Sequence, residues 1–175
     1  MAKTGAVGDD RWVPDAFESA RRRVDDEVLA VTMLWKWDLE REVDAVVARQ
    51  LLAVLWFGTD GQRLVNRRIA PASGGLPIHS LTVLTAAELV VFDTKAKAKV
   101  FGGLRFVPTT EVARWPRDQV RAVVGAPSVS SVQHWKIARR PLSMVVHGSP
   151  DEHHMTIGTS PNDEAFLTEL APETV

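Results

Sequence analysis

Three lysines, Lys95, Lys97 and Lys99, stand two residues apart in the stretch 94–99. In an extended chain, side chains at i, i+2 and i+4 point to one side. The spacing therefore makes a row of ammonium groups, which attracts phosphate or carboxylate at a surface. Arg105 adds a charge just downstream, and Arg67 and Arg68 lie in a basic loop upstream that also holds Arg63. These six residues, Lys95, Lys97, Lys99, Arg105, Arg67 and Arg68, are the candidate anion- or lipid-binding set. Lysines on an exposed strand also have a simpler use, which is to stop edge-to-edge pairing.

Other chemistry finds no pattern to stand on. His153 and His154 are adjacent, so on a strand they face opposite sides and do not share a metal. His79, His134 and His147 lack the spacing of metal ligands. Ser128, Ser130 and Ser131 read as a loop without the turn that presents a nucleophilic serine. Gly74-Gly75 and Gly102-Gly103 do not form a phosphate-binding loop. The chain has no cysteine, which removes disulfides and thiolate chemistry. No catalytic residue, metal or cofactor is assigned.

The 175 residues fit one domain with an appendage, and 45% hydrophobic content is enough for a core. The start of the chain has no apolar signal region, and its longest apolar run, 51–57, is far short of the ~20 residues of a spanning helix. The expected location is the cytoplasm. The net charge of −1 hides a segregation. Residues 1–60 hold 8 basic and 12 acidic side chains, residues 61–146 hold 13 and 4, and residues 147–175 hold none and 6. A basic middle between acidic ends points either to internal pairing or to an anion-attracting face.

The centre of the chain is the stretch 81–93. Residues 81–85 and 89–92 read as two antiparallel strands joined at Ala86-Ala87-Glu88 and bracketed by Pro77 and Asp93. Both are apolar on both faces, so the pair should be central and covered on one side by the N-terminal helix. Residues 1–12 read as disordered. Pro14 opens a short helix over 15–23, and 28–35 read as a strand. Residues 39–57 form the clearest helix, with Asp38 as its cap, Gly58 just past its end and an apolar final two turns. Further strands are expected at 104–107, 110–115 and 119–124. A pair at 132–138 and 142–147 turns at Arg139-Arg140-Pro141, and a last strand covers 153–157. Ser160, Pro161 and Asp163 start a terminal helix whose apolar stripe is Phe166, Leu167 and Leu170.

Some seven short strands followed by one amphipathic helix resemble a pleckstrin-homology-like (PH-like) or GRAM-like domain of bacterial type. The residues that carry the likeness are Leu81-Thr82-Val83-Leu84-Thr85 with Glu88-Leu89-Val90-Val91-Phe92, then 110–120, then Phe166, Leu167 and Leu170. The resemblance covers 76–171. It implies an α+β fold in which a bent antiparallel sheet forms a partly open barrel with a C-terminal capping helix. Residues 1–75 are then an extra N-terminal helical region packed on the core, and 76–175 the domain itself. It implies a non-enzymatic binding or scaffold module, with a protein partner or a homo-oligomer and weak binding to an anionic membrane surface. The alternative is a nucleic-acid binder using the basic segment 61–146.

The apolar end of 39–57 generates a test. Leu55→Asp is expected to unfold the protein or dissociate it, because an unpaired buried charge costs several kcal/mol. An unchanged melting temperature together with an unchanged mass would contradict this.

Overall fold

A computed structural model describes residues 10–36, 76, 77, 79–98, 104–132 and 135–170. Helix α1 (Val13–Arg21) precedes strands β1 (Val28–Lys36), β2 (His79–Thr85), β3 (Glu88–Ala98), β4 (Leu104–Pro116), β5 (Val120–Val124), β6 (Ser128–Val132), β7 (Trp135–Val146) and β8 (Glu152–Ile157). Helix α2 (Pro161–Leu170) follows. The strands pair antiparallel in the order β4-β3-β2-β1-β8-β7-β5, with β6 also on β7. This is an α+β fold built on a sheet that does not close. No described helix is long and apolar enough to cross a membrane.

Strand β1 shows why the sheet is covered twice. Its side chains alternate. Val31 and Met33 pack with Leu81, Val83, Val90 and Phe92 under Ala16 and Ala20 of α1. Ala30 and Leu34 face the other way, among Leu84, Leu89, Val91, Met155 and the α2 residues Phe166, Leu167 and Leu170. The two-sided apolar pattern of β2 and β3 thus has its cover on both faces, and α1 is the N-terminal one.

Helix α2 is fixed by its first turn. Ser160 Oγ accepts the Asp163 N–H at 3.1 Å and donates to Asp163 Oδ2 at 2.9 Å, while the Ser160 N–H donates to the same oxygen at 3.2 Å. This is a reciprocal cap. The other carboxylate oxygen accepts from Thr32 Oγ1 of β1 at 2.6 Å. Asn162 Nδ2 donates to the Val31 carbonyl at 2.8 Å. Gly158 leaves the room this needs, because a Cβ there would run into the Asp163 carboxylate.

Several expectations are corrected. The strand from 28 and the β2–β3 hairpin stand as read, but β3 does not stop at Asp93. It runs on to Ala98 through a register shift around Phe92–Thr94. The expected strands at 104–107 and 110–115 are one strand, β4; Pro108 is tolerated because β4 is an edge. Arg139-Arg140-Pro141 is not a turn but the middle of β7, whose hairpin partner is β6. Pro141 sits opposite the break between β5 and β6, where the ladder is interrupted and its missing N–H costs least. Ser128, Ser130 and Ser131 are therefore in a strand, not a loop. Asp10–Trp12, expected to be disordered, is a 3-10 turn, and Asp10 Oδ2 accepts the Asn162 N–H at 3.3 Å. Within 76–171 the described strands number seven, β2 to β8, and β1 adds an eighth to the sheet. The expected helix 39–57, the loop 62–75 and the turn at Gly102-Gly103 lie outside the described residues.

Asp163→Ala removes the acidic half of the cap and leaves the buried Thr32 hydroxyl, the Ser160 hydroxyl hydrogen and the Ser160 N–H without their acceptor. A loss of about 3 kcal/mol is expected, from a cap worth ~1 and unsatisfied buried groups at 1–3. Urea unfolding checks this against Asp151→Ala in an exposed turn, which should stay within about 0.5 kcal/mol of wild type.

Candidate functional site

The register of β1–β4 gathers cations at one end. Lys36 ends β1, and His79 begins β2 directly across from Trp35. At the same end β3 finishes with Lys95 and Lys97, and β4 begins, so that Lys97 is opposite Arg105 and Lys95 opposite Val107. Lys95 and Lys97 share a face, are exposed, and make no ion pair with described residues. They lie within the β3–β4 hairpin, inside the strand rather than after the β2–β3 hairpin. Lys99, Arg67 and Arg68 lie outside the described residues, as does Arg63.

A second cationic element arrives from β7. The Arg139 guanidinium lies 4.7 Å from the centre of the Trp35 ring, a cation–π distance. Trp35 meets His79 edge-on at 4.2 Å. Thr94, next to Lys95, donates through Oγ1 to the His79 carbonyl at 3.3 Å. A continuous set of contacts therefore links Arg139 to the lysine row. Acids at this end are engaged: Asp93 Oδ1 accepts the Thr94 N–H at 2.8 Å, and Glu164 pairs with Arg140 at 3.2 Å. Burial first, and the Arg139 charge second, push the His79 imidazole down to about 4.

The other end of β1–β4 is acidic. Asp25, Asp26 and Glu27 precede β1, and Glu88 opens β3. Asp26 accepts the N–H groups of Glu27 at 2.8 Å and Ala87 at 3.2 Å, which hold its carboxyl below the usual range. The nearby arginines are paired. Arg114 bonds Glu88 and, at 2.8 Å, Glu111, and Arg117 pairs with Glu169 at 3.6 Å.

Strand register also creates a constellation that no local pattern announced. Ser143 Oγ and His154 Nδ1 are 3.0 Å apart across β7 and β8, and His154 Nε2 is 3.8 Å from Glu152 Oε2. The order of residue types is that of a serine nucleophile, a base and an acid. The last distance exceeds a hydrogen bond, and His154 and Glu152 are 54% and 51% exposed on an open sheet face. Among the described residues none encloses the base. His153 points the opposite way into the core, with its ring 5.0 Å from that of Trp115. Among the described residues no three His, Cys, Asp or Glu side chains gather as a metal-binding group.

Sequence reasoning named Lys95, Lys97 and Arg105 for this end and did not name Arg139, Trp35 or His79. The arginine came from a stretch read as a turn, and only long-range pairing brings it to β1. Comparison of the chain with family models, curated proteins and solved structures finds no match.

The His79 environment sets a pH dependence. The folded state keeps the imidazole neutral down to about 4, whereas the unfolded chain protonates near 6.5. The unfolded state then binds more protons between these values, so this contribution to stability is present above 6.5 and is lost as pH falls towards 4. Proton NMR should place the His79 titration near 4, and Arg139→Gln should move it up. A titration at 6.5 in the wild type would contradict the assignment.

Proposed function

We propose that this chain is a non-enzymatic, PH-like binding module. It acts by contact, with protein partners or copies of itself, and offers the cationic end of β1–β4 to anionic membrane surfaces. The observation that carries this is the gathering of Lys36, Lys95, Lys97 and Arg105 at one end by strand register, with Arg139 brought in on Trp35. The strand order supports the PH-like part: a meander β1–β4, a second antiparallel group β5–β8, and one helix after the last strand. Near an anionic bilayer each basic residue contributes on the order of 1 kcal/mol. A handful gives weak, reversible attachment, which suits a module that adds avidity to a protein contact. The nucleic-acid alternative draws less support, because Trp115 packs against the core and the His153 ring instead of standing free beside arginines.

Co-sedimentation with vesicles tests the reading. The protein should pellet with phosphatidylserine vesicles at low salt and be released at high salt. It should ignore phosphatidylcholine. The double variant Lys95→Ala/Lys97→Ala should bind roughly 30-fold more weakly, the equivalent of about 2 kcal/mol. Equal binding of wild type and variant would leave the lysines as solubility residues. Binding to polynucleotide with a steep salt dependence, and none to vesicles, would assign this end to nucleic acid.

A further inference from the structure

The two edges of the sheet are built differently. β4 is guarded. Trp12, at the start of α1, meets Phe106 edge-on at 5.9 Å, and Arg23 Nη1 donates to the Thr109 carbonyl at 2.9 Å. The charged Glu111 and Arg114 project from the same strand. β5 and β6 lie end to end along one side of β7, and on their outer side no described strand pairs. Val124 is opposite Leu142 and Ser128 is opposite Arg139, so Gly125, Ala126 and Pro127 bulge against two β7 residues.

This second edge has little to repel a partner. From Ala122 to Val132 there is no charged side chain. Val123 and Val129 are 70% and 65% exposed, the highest values among the large apolar side chains described. Edge strands left in water normally carry lysines or inward-facing charges against association. Among the described residues the bulge and Pro127 are what interrupts this edge.

We infer that the β5–β6 edge pairs antiparallel with the same edge of a second copy about a two-fold axis. The inference deepens the contact function proposed above and rests on it. An edge of alternating N–H and C=O groups is satisfied by another extended strand. β5 and β6 are each five residues long and flank a three-residue break, so a two-fold apposition lays β5 of one copy along β6 of the other, twice. Such an interface is self-complementary, as a two-fold requires. Arg121 is the one charge on the strand pair. Apposition that sets Val123 against Ser128 of the other copy, which lie over β7 positions 143 and 139 on one face, puts the two Arg121 residues about 26 Å apart, at roughly 3.3 Å per residue, well beyond the Debye length of about 10 Å. The chain's net charge of −1 adds little long-range repulsion between copies.

The absence of cysteine makes the geometry testable by cross-linking. Val123→Cys and Ser128→Cys proteins, mixed and oxidised, should give a disulfide-linked dimer. Either protein alone should give far less, since two copies of position 123 lie about 13 Å apart in the apposition, out of disulfide reach. In sedimentation velocity the wild type should move from monomer to dimer with concentration. Val129→Lys should stay monomeric at an unchanged melting temperature, and Val112→Lys on β4 should still dimerise. A wild type monomeric at every concentration, equal cross-linking in the single-protein controls, or a Val129→Lys dimer would each overturn the inference. A monomer that still pellets with phosphatidylserine vesicles removes the edge pairing alone. A monomer that binds neither vesicles nor a copy of itself removes the proposed contact function as well.

Discussion

The carboxylate of Asp163 decides how the last helix meets the sheet. A buried carboxylate is costly unless donors surround it, and this one receives Thr32 Oγ1, Ser160 Oγ and the Ser160 N–H. A helix of ten residues is marginal alone. Tied to β1 by this cluster and by the Asn162–Val31 bond, it presents Phe166, Leu167 and Leu170 to the core. β1 then satisfies α2 on one face and α1 on the other, and its last two residues begin the pairing with β8 that joins the two halves of the sheet. Loosening the cluster would therefore disturb more than a helix end. The tie is not free of cost: the buried Thr82 hydroxyl, on the residue opposite Thr32, has no hydrogen-bond partner among the described residues.

What was legible in the sequence followed local physics. The alternating apolar runs of β1, β2 and β8 and the Ser-Pro-Asn-Asp start of α2 are each decided within a few residues. The misreadings came where distant partners override a local signal. Pro141 beside two arginines has the composition of a turn, yet β7 runs straight through it because the bulge in its partner absorbs the missing donor. Pro108 divides a run that an edge position lets continue. Asp93 has the composition of a strand end, yet its carboxylate accepts the next N–H and β3 goes on.

The candidate site was half legible for the same reason. Lys95 and Lys97 share a face by their spacing alone, and that spacing is printed in the sequence. Their proximity to Arg139 is not, because it depends on β8 stopping at Ile157 while β7 continues past it. Past that step Arg139 reaches Trp35 on β1. The charge segregation along the chain was visible as numbers. What the fold adds is a direction, with cations at one end of β1–β4 and Asp25, Asp26, Glu27 and Glu88 at the other.

His79 shows how steady that direction is. A histidine among lysines and arginines at neutral pH would ordinarily make the end's charge tunable, since its titration falls within the physiological range. Here the packing of Trp35 and the nearby Arg139 charge keep it neutral to about pH 4. The cationic end is therefore carried by lysine and arginine and not by His79. The attraction proposed for an anionic surface would answer to ionic strength and to surface charge, and not to protonation of His79. A pH-gated switch would need the opposite design, with a histidine solvated enough to charge and close enough to the lysines to matter.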